Sequence, residues 1–321
     1  MKVGIGLDVR RTPGDKRSWD RIYDFNLSLC IAAETAGLDS VWLSEHHGFP
    51  DGYLPQPLTF AAAVAARTTR IRIGTALLIA PLRAAAHIAE EAAVVDLLSS
   101  GRLELGMGPG YRHDEFDLFA ADLDARHRTT RAQVTEIRRL WREGVVTPPP
   151  FRGEVPIWLG YRGPIGAKNA GRLGTGLLSL EVEALEPYLA GLAEAGHSGA
   201  VARMTGAVHG FVSEDPERDW PQVSKHLAYW ADEYRRLMVA PGDPVPRPID
   251  PNRWRERGLV AGLGGFAYGT PAELAATLRS HFAGAPVETV FFEITLGGMS
   301  ESMSEGQLEQ VAILAQLLRD G

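Results

Sequence analysis

Short runs rich in β-branched and aromatic residues alternate with stretches whose apolar positions recur every three or four residues along nearly the whole chain. This is the pattern of strand–helix units around a parallel sheet. The spacing predicts strands over residues 3–8, 40–44, 71–79, 102–108, 157–160, 176–180, 204–212 and 289–295. After Ser18, the recurrence of Ile22, Phe25, Leu29, Ala32 and Ala36 predicts a helix that Gly37 stops. Further helices are expected over residues 57–69, 84–99, 166–173 and 220–238, with another carrying Val134, Ile137, Leu140 and Trp141 and ending at Gly144. Thr270, Pro271 and Glu273 form a capping box with proline at the first helical position. Ser304 and Gln307 repeat that signal for a last helix with Leu308, Val311, Ala315 and Leu318 on one face. Pro148, Pro149 and Pro150 cannot continue a helix and mark a short pause in the chain.

Eight such units in 321 residues fit a (β/α)8 barrel, an α/β fold of one domain spanning 1–321, better than an open doubly wound sheet. About 55 residues separate the seventh strand from the Thr270 helix, more than a barrel connection needs, so an insertion is expected over about 214–268. Within it, residues 241–265 hold Pro241, Pro244, Pro246, Pro248 and Pro251 and then Gly262, Gly264 and Gly265. Little regular structure is expected there, and Trp254, Leu259, Val260 and Leu263 are apolar enough to cover a barrel mouth as a mobile lid.

The net charge of −7 opposes a nucleic-acid or anionic-membrane partner, since both need a basic surface. Cys30 is the single cysteine, which permits no internal disulfide and fits a reducing cytoplasm; between Leu29 and Ile31 it reads as a packing thiol. No segment has the roughly 18 uninterrupted apolar residues of a membrane span, and the N-terminus opens on a strand pattern without a signal peptide.

In a barrel the chemistry stands where strands run into the following loops. The second strand ends Ser44-Glu45-His46-His47, and because side chains alternate along a strand only one of the two histidines can face the mouth. Their adjacency lacks the His-x-His spacing of barrel metal sites, and the run from His113 to Asp117 reads as a solvated helix start, so no metal is expected. A retaining glycosidase needs facing carboxylates, but the fourth strand ends in glycines and the seventh near His209. The fourth strand ends Gly106-Met107-Gly108-Pro109-Gly110-Tyr111, where glycines would either bring bare backbone to a flat or phosphorylated ligand or ease a tight turn. After the fifth strand, Gly160-Tyr161-Arg162-Gly163-Pro164-Ile165-Gly166 opens a helix with free N–H groups and a cation, a phosphate cradle.

Several stretches together resemble the bacterial luciferase-like flavin-dependent oxidoreductases. They are Asp39-Ser-Val-Trp-Leu-Ser-Glu-His-His47, Arg70-Ile-Arg-Ile-Gly-Thr-Ala-Leu-Leu78, Pro81-Leu-Arg83, Glu90-Glu91, Asp96-Leu-Leu-Ser-Ser-Gly-Arg102, Leu105-Gly106 and Pro156-Ile-Trp-Leu-Gly160. The resemblance covers residues 1 to about 180 closely and the last third loosely. It implies a barrel that binds reduced FMN at the strand ends, often as a homodimer, and it matches His46 to the catalytic histidine. It also implies a non-prolyl cis peptide between Ala76 and Leu77 beneath the ring system. Where the family carries an arginine for the flavin phosphate this chain has Pro109, so Arg162, or one of Arg126, Arg128 and Arg131, must replace it.

The implied activity is monooxygenation of a small organic substrate by reduced FMN and O2 through a flavin hydroperoxide, with the reduced flavin supplied by a separate reductase and His46 handling the proton. Family members that use the deazaflavin coenzyme F420 transfer hydride without oxygen and usually read Asp-His here; Glu45-His46-His47 looks like the FMN branch. A flavin-binding protein without turnover would need neither His46 nor a lid. The residues expected at the cofactor are therefore Ala76, Leu77, Gly108, Gly110, Tyr111, Gly160, Tyr161, Arg162, Gly163 and Gly166. The helices containing Phe60 to Ala66 and residues 84–99 are expected to form the dimer face.

Overall fold

The structure, a computed structural model, describes residues 1–240, 242–260 and 262–320. Eight parallel strands close into a barrel: β1 (Lys2–Leu7), β2 (Ser40–Leu43), β3 (Arg72–Thr75), β4 (Leu103–Gly108), β5 (Ile157–Leu159), β6 (Gly176–Leu178), β7 (Met204–Val208) and β8 (Val287–Glu293). Their order around the ring is β3-β2-β1-β8-β7-β6-β5-β4, and β3 pairs with β4 to complete it.

The barrel interior shows why tryptophan and glycine alternate in these strands. Trp42, Trp158 and Phe291 fill it, with Trp42 stacked on Phe291 at 5.1 Å and edge-on to Trp158 at 6.4 Å. A Cβ on Gly74 would lie 2.2 Å from Trp42, and one on Gly176 would lie 2.2 Å from Trp158. Only glycine at those positions lets the indoles occupy the centre of so narrow a barrel. The alternate residues Val41, Leu43, Leu105 and Leu159 pack outward against the helices in the main core.

Several boundaries differ from those the sequence predicts. The third strand breaks after Thr75 and resumes at Leu78–Ile79, and the intervening Ala76–Leu77 peptide is cis, as the resemblance implies. The seventh breaks at His209: Met204–Val208 stays in the barrel, while Gly210–Val212 leaves it to pair in parallel with Ala267–Gly269. That second, two-stranded sheet brackets the insertion. The helix after the fifth strand begins at Gly163, three residues early, because Pro164 suits the first turn and Arg162 is the cap. The last helix begins at Glu301, where the Ser300 hydroxyl accepts the Met303 N–H; Ser304 and Gln307 lie inside it, buried. Serine recurs one turn apart there, and the earlier one caps.

The insertion carries the helix Pro216–Leu237 and a shorter one, Pro251–Arg257, that the proline count hid: Asp250 caps it and Pro251 sits at its first turn. Trp254 of this short helix packs with Phe211, Trp230 and Phe266 in a core of the insertion's own. Of the stretch read as a lid, Pro241 and Ala261 lie outside the described residues. Cys30 is buried, its thiol bonded to Asn26 O at 3.3 Å, and burial pushes it up to about 12, so it packs and does not react. No helix among the described residues is long and apolar enough to cross a membrane.

Candidate functional site at the barrel mouth

The C-terminal ends of six of the eight strands converge on a cavity of about 250 Å³. A larger hollow of about 590 Å³ lies between the insertion and the C-terminal helix, away from every barrel strand end. The smaller one is the candidate site, because the strand ends supply it. Its apolar wall is Ala76, Leu77, Leu178, Ala207 and Phe291; its polar groups include Ser44, His46, Tyr53, Arg162, Ser179, His209 and Glu293.

Alternation separates the two histidines as expected. His46 lines the cavity, while His47 turns to Glu45, Nε2 to Oε1 2.7 Å, and packs on Phe119. Glu45 also accepts the Ile79 N–H at 2.7 Å and Arg83 at 2.5 Å, so it anchors the third strand and is engaged away from the mouth.

His46 is held from behind. Its Nδ1 lies 2.8 Å from Oε1 of Glu115, a residue with no solvent exposure whose same oxygen accepts the His47 N–H at 3.0 Å. Burial works to raise the Glu115 carboxyl, but the hydrogen bond and charge of His46, the His47 N–H and Arg112 outweigh it and hold the group below its usual range. An ionised Glu115 accepts the hydrogen bond of an Nδ1–H, which leaves the Nε2 lone pair for the cavity. Phe49 and Tyr53 pack on the ring with centroids 4.8 and 4.7 Å away. Tyr111 sits beside it, hydroxyl 3.4 Å from Nε2, and donates to Tyr234 of the insertion helix at 2.6 Å. Burial and the Tyr234 charge raise Tyr111 well above its ordinary value, so it stays a neutral phenol.

The expected cofactor residues divide. Ala76, Leu77, Gly160, Tyr161 and Arg162 line the cavity; Gly108, Gly110, Tyr111, Gly163 and Gly166 do not. A Cβ on Gly108 or Gly160 would lie 2.5 or 2.3 Å from the Leu77 side chain, one on Gly110 2.6 Å from Ile79, and one on Gly166 2.5 Å from Tyr161. All four glycines make room for protein side chains; Gly160 does so on the cavity wall, and Gly108, Gly110 and Gly166 away from it. Gly163, with φ +70°, has nothing within 4 Å of its would-be Cβ.

Arg162 is exposed at the rim and has no salt bridge among the described residues. Burial, with the Arg162 charge second, lowers His209 to about 4, so this histidine faces the cavity uncharged at neutral pH. The Arg131 charge acts on the Tyr161 phenol, and Arg126 donates to Leu123 O at 2.7 Å. Among the described residues no group of three or more His, Cys, Asp or Glu is placed to hold a metal.

Two groups escaped the sequence reading. The helix Pro216–Leu237 shares the cover, contributing Trp230 and Tyr234 over the mouth beside Gly262 and Leu263 from the described part of residues 241–265. Carboxyl groups do stand at strand ends: Glu293 closes β8 and lines the cavity, with Asp8 behind it just past β1. A lone glutamate in the apolar run Val-Phe-Phe-Glu-Ile was the available signal.

Residues 1–289 match the pattern of the family described as luciferase-like monooxygenase. That extends past the first 180 residues to which the motifs pointed. The oxygenase component of a flavin-dependent trigonelline monooxygenase from Acinetobacter baylyi is 28% identical over 180 residues, 51% of this chain and 50% of that protein. A Kribbella flavida protein named F420-dependent glucose-6-phosphate dehydrogenase is 35% identical over 264 residues, 70% of this chain and 78% of that one. The alignments thus span half of the first relative and over three-quarters of the second. In fold, the chain superposes on the monooxygenase RslO1 from Streptomyces bottropensis with a TM-score of 0.79 at 23% identity, over 97% of this chain and 98% of that one. With the strand-end histidine and the closed barrel, these matches establish that the chain belongs to the luciferase-like monooxygenase family.

Proposed function

We propose that the protein is the oxygenase of a two-component system that uses reduced FMN and O2 on a small organic substrate, with a separate reductase supplying the flavin. The observation that carries this is His46, fixed by Glu115 with Nε2 toward a cavity that Trp230 and Tyr234 cap. Such a cover matters because oxygen chemistry needs water kept from the reacting centre.

The donor set fits a flavin. The apolar wall suits a flat ring, and Arg162 with the first turn of the helix Gly163–Arg172 suits a phosphate. The volume of about 250 Å³ falls below the roughly 300–1,000 Å³ of ligand pockets, so the cover has to lift to admit cofactor and substrate together. Bound reduced flavin supplies two electrons for O2, of which one oxygen atom enters the substrate and the other leaves as water. Within that scheme His46 takes or returns a proton at Nε2 while Glu115 keeps Nδ1 protonated, and Tyr111 and Tyr234 line the approach to Nε2.

Hydride transfer with coenzyme F420 is the second reading, favoured by the 35% identity to the Kribbella flavida protein. Anaerobic titration of the protein with each reduced cofactor separates them. Tighter binding of reduced FMN, followed by oxygen uptake with an oxygenated product, is expected; tighter binding of reduced F420 overturns the monooxygenase reading.

The same reading includes a homodimer through the helix Ala85–Leu98, whose Val94, Leu97 and Leu98 are exposed, Leu98 at 54%. The neighbouring helix Pro57–Arg67 spends Leu58, Phe60, Ala61, Val64 and Ala65 on the barrel, leaving small residues outward for a close approach. Sedimentation as a monomer at micromolar concentration would remove this interface.

A further inference from the structure

The ends of β1 and β8 carry a buried carboxyl pair that the proton path through His46 does not use. Gly6 of β1 is in register with Glu293 of β8, so Asp8 and Glu293 emerge side by side at the mouth. Asp8 is fully buried, with Oδ1 accepting from Thr295 at 3.3 Å and Oδ2 without a partner. Glu293 is half-buried: it lines the cavity, and its Oε2 is sealed off with no hydrogen-bond partner. Nearby, Arg10 is committed to Asp51, with Nε to Oδ2 at 2.8 Å and the terminal nitrogen at 2.6 Å. Its charge still pulls on both Asp8 and Glu293, but burial outweighs that pull at each.

We propose that Glu293 is a substrate-binding residue, a carboxylic acid that donates a hydrogen bond to the carbonyl oxygen of an uncharged organic substrate. This rests on the reading that the cavity receives such a substrate, and not on which cofactor is bound. A sealed carboxyl oxygen without a hydrogen bond is costly unless the group is neutral. Burial, and then the Asp8 charge, raise Glu293 to about 8, while Arg10 pulls the other way. The Trp230 indole N–H also favours the carboxylate but meets it outside hydrogen-bond geometry. In its protonated form the group is a donor.

Its surroundings keep it so. From the loop after β2, Tyr53 faces it as a phenol raised well above its ordinary value, and Asp51 is already paired. From the insertion helix, Tyr234 faces it as a raised phenol, and Tyr229 donates to Asp51 at 2.8 Å. The remaining titratable groups on the cavity wall are His46, Tyr161, Arg162, Glu181 and His209; burial raises the Tyr161 phenol to about 12, and of the five only Arg162 offers a fixed positive charge, at the rim. An anionic group pushed against Asp8 would be repelled; a carbonyl oxygen would be bound.

Two measurements on the full-length protein without cofactor test this. Infrared spectra recorded through the alkaline range should lose a protonated-carboxyl band with a midpoint near 8, and that band should be absent in Glu293→Gln and present, with a lower midpoint, in Asp8→Asn. Cyclohexanone serves as the probe ligand and protonated cyclohexylamine as its cationic counterpart. Cyclohexanone binding should weaken about tenfold as Glu293 ionises and about tenfold in Glu293→Leu, whereas Glu293→Gln should bind it at every pH within about threefold of the neutral wild type. Preference for cyclohexylamine below the midpoint, no binding of cyclohexanone, no loss in Glu293→Leu, or a pH dependence that survives in Glu293→Gln overturns the proposal. Failure of the flavin titration with these results intact would sink the cofactor reading and leave the role of Glu293 standing.

Discussion

Replacing Tyr229 with Phe isolates the cover over the site. The helix Pro216–Leu237 is fastened along one face: His226 Nδ1 to Gly297 O at 3.1 Å, Tyr229 to Asp51 at 2.8 Å, Tyr234 from Tyr111 at 2.6 Å, and Leu237 O from Arg112 at 3.0 Å. Tyr229→Phe removes one hydroxyl and keeps the ring over which Arg10 sits at 5.5 Å. Asp51 retains both contacts to Arg10, so no buried charge is stranded. A hydrogen bond to a charged acceptor contributes about 1.5–3 kcal/mol when buried; Tyr229 is only half-buried, which brings the expected loss to about 1 kcal/mol. That is about a fivefold shift in the opening equilibrium of the helix. Native-state hydrogen exchange reads it directly: amides of this helix should exchange about fivefold faster, and those of β1 should be unchanged. Exchange unaltered in the helix would refute the claim that this bond holds the cover. Equal acceleration in helix and barrel strands would refute it too, by showing a global rather than a local effect.

His46→Ala should lower turnover by about a hundredfold or more while leaving cofactor affinity within about threefold, checked by steady-state kinetics beside anaerobic titration. Arg162→Ala should weaken cofactor binding by about 1.5–3 kcal/mol, and a small loss there with a large one for Arg128→Ala or Arg131→Ala would move the phosphate site. Glu34, whose carboxylate accepts the N–H groups of Thr69, Arg70 and Ile71, is lowered to about 2 because those bonds outweigh burial. Its contribution to stability is present above its ordinary value of 4.5 and lost as pH falls through about 2. Glu34→Gln should therefore lower Tm by on the order of a few degrees at neutral pH and by progressively less in acid, and a difference constant with pH would contradict this.

The elements that were legible in the sequence are those whose signal is local. The period of Ile22, Phe25 and Leu29, the Thr270–Glu273 capping box and the alternation that sends His46 inward and His47 outward all operate within one turn or one strand. What the sequence misplaced depends on a partner distant along the chain. Gly108 reads as ligand-facing backbone or a tight turn, yet it lies off the cavity and the Leu77 side chain, delivered from another strand, fills the space its Cβ would take. Residues 241–265 looked like a cover because prolines and glycines mark irregular chain. They cannot show that Trp254 is already consumed by Phe211 and Phe266, or that Tyr234 on a regular helix has a hydroxyl partner in Tyr111.

The carboxyl pair carries this furthest. Asp8 and Glu293 are separated by nearly the whole chain, and each alone reads as a polar residue ending a strand. Closing the ring puts β1 beside β8 in a register that aligns Gly6 with Glu293, and only then does burial act on two acids at once. Asp8, fully enclosed, is raised to about 6 by burial against the pull of Arg10, and its charge in turn adds to the rise of Glu293, which faces the cavity. A single substitution of Asp8 by Asn would thus lower the Glu293 value without touching the cavity wall. The chemistry at the mouth of the barrel is set by the pairing of its first and last strands, and so by how the ring closes.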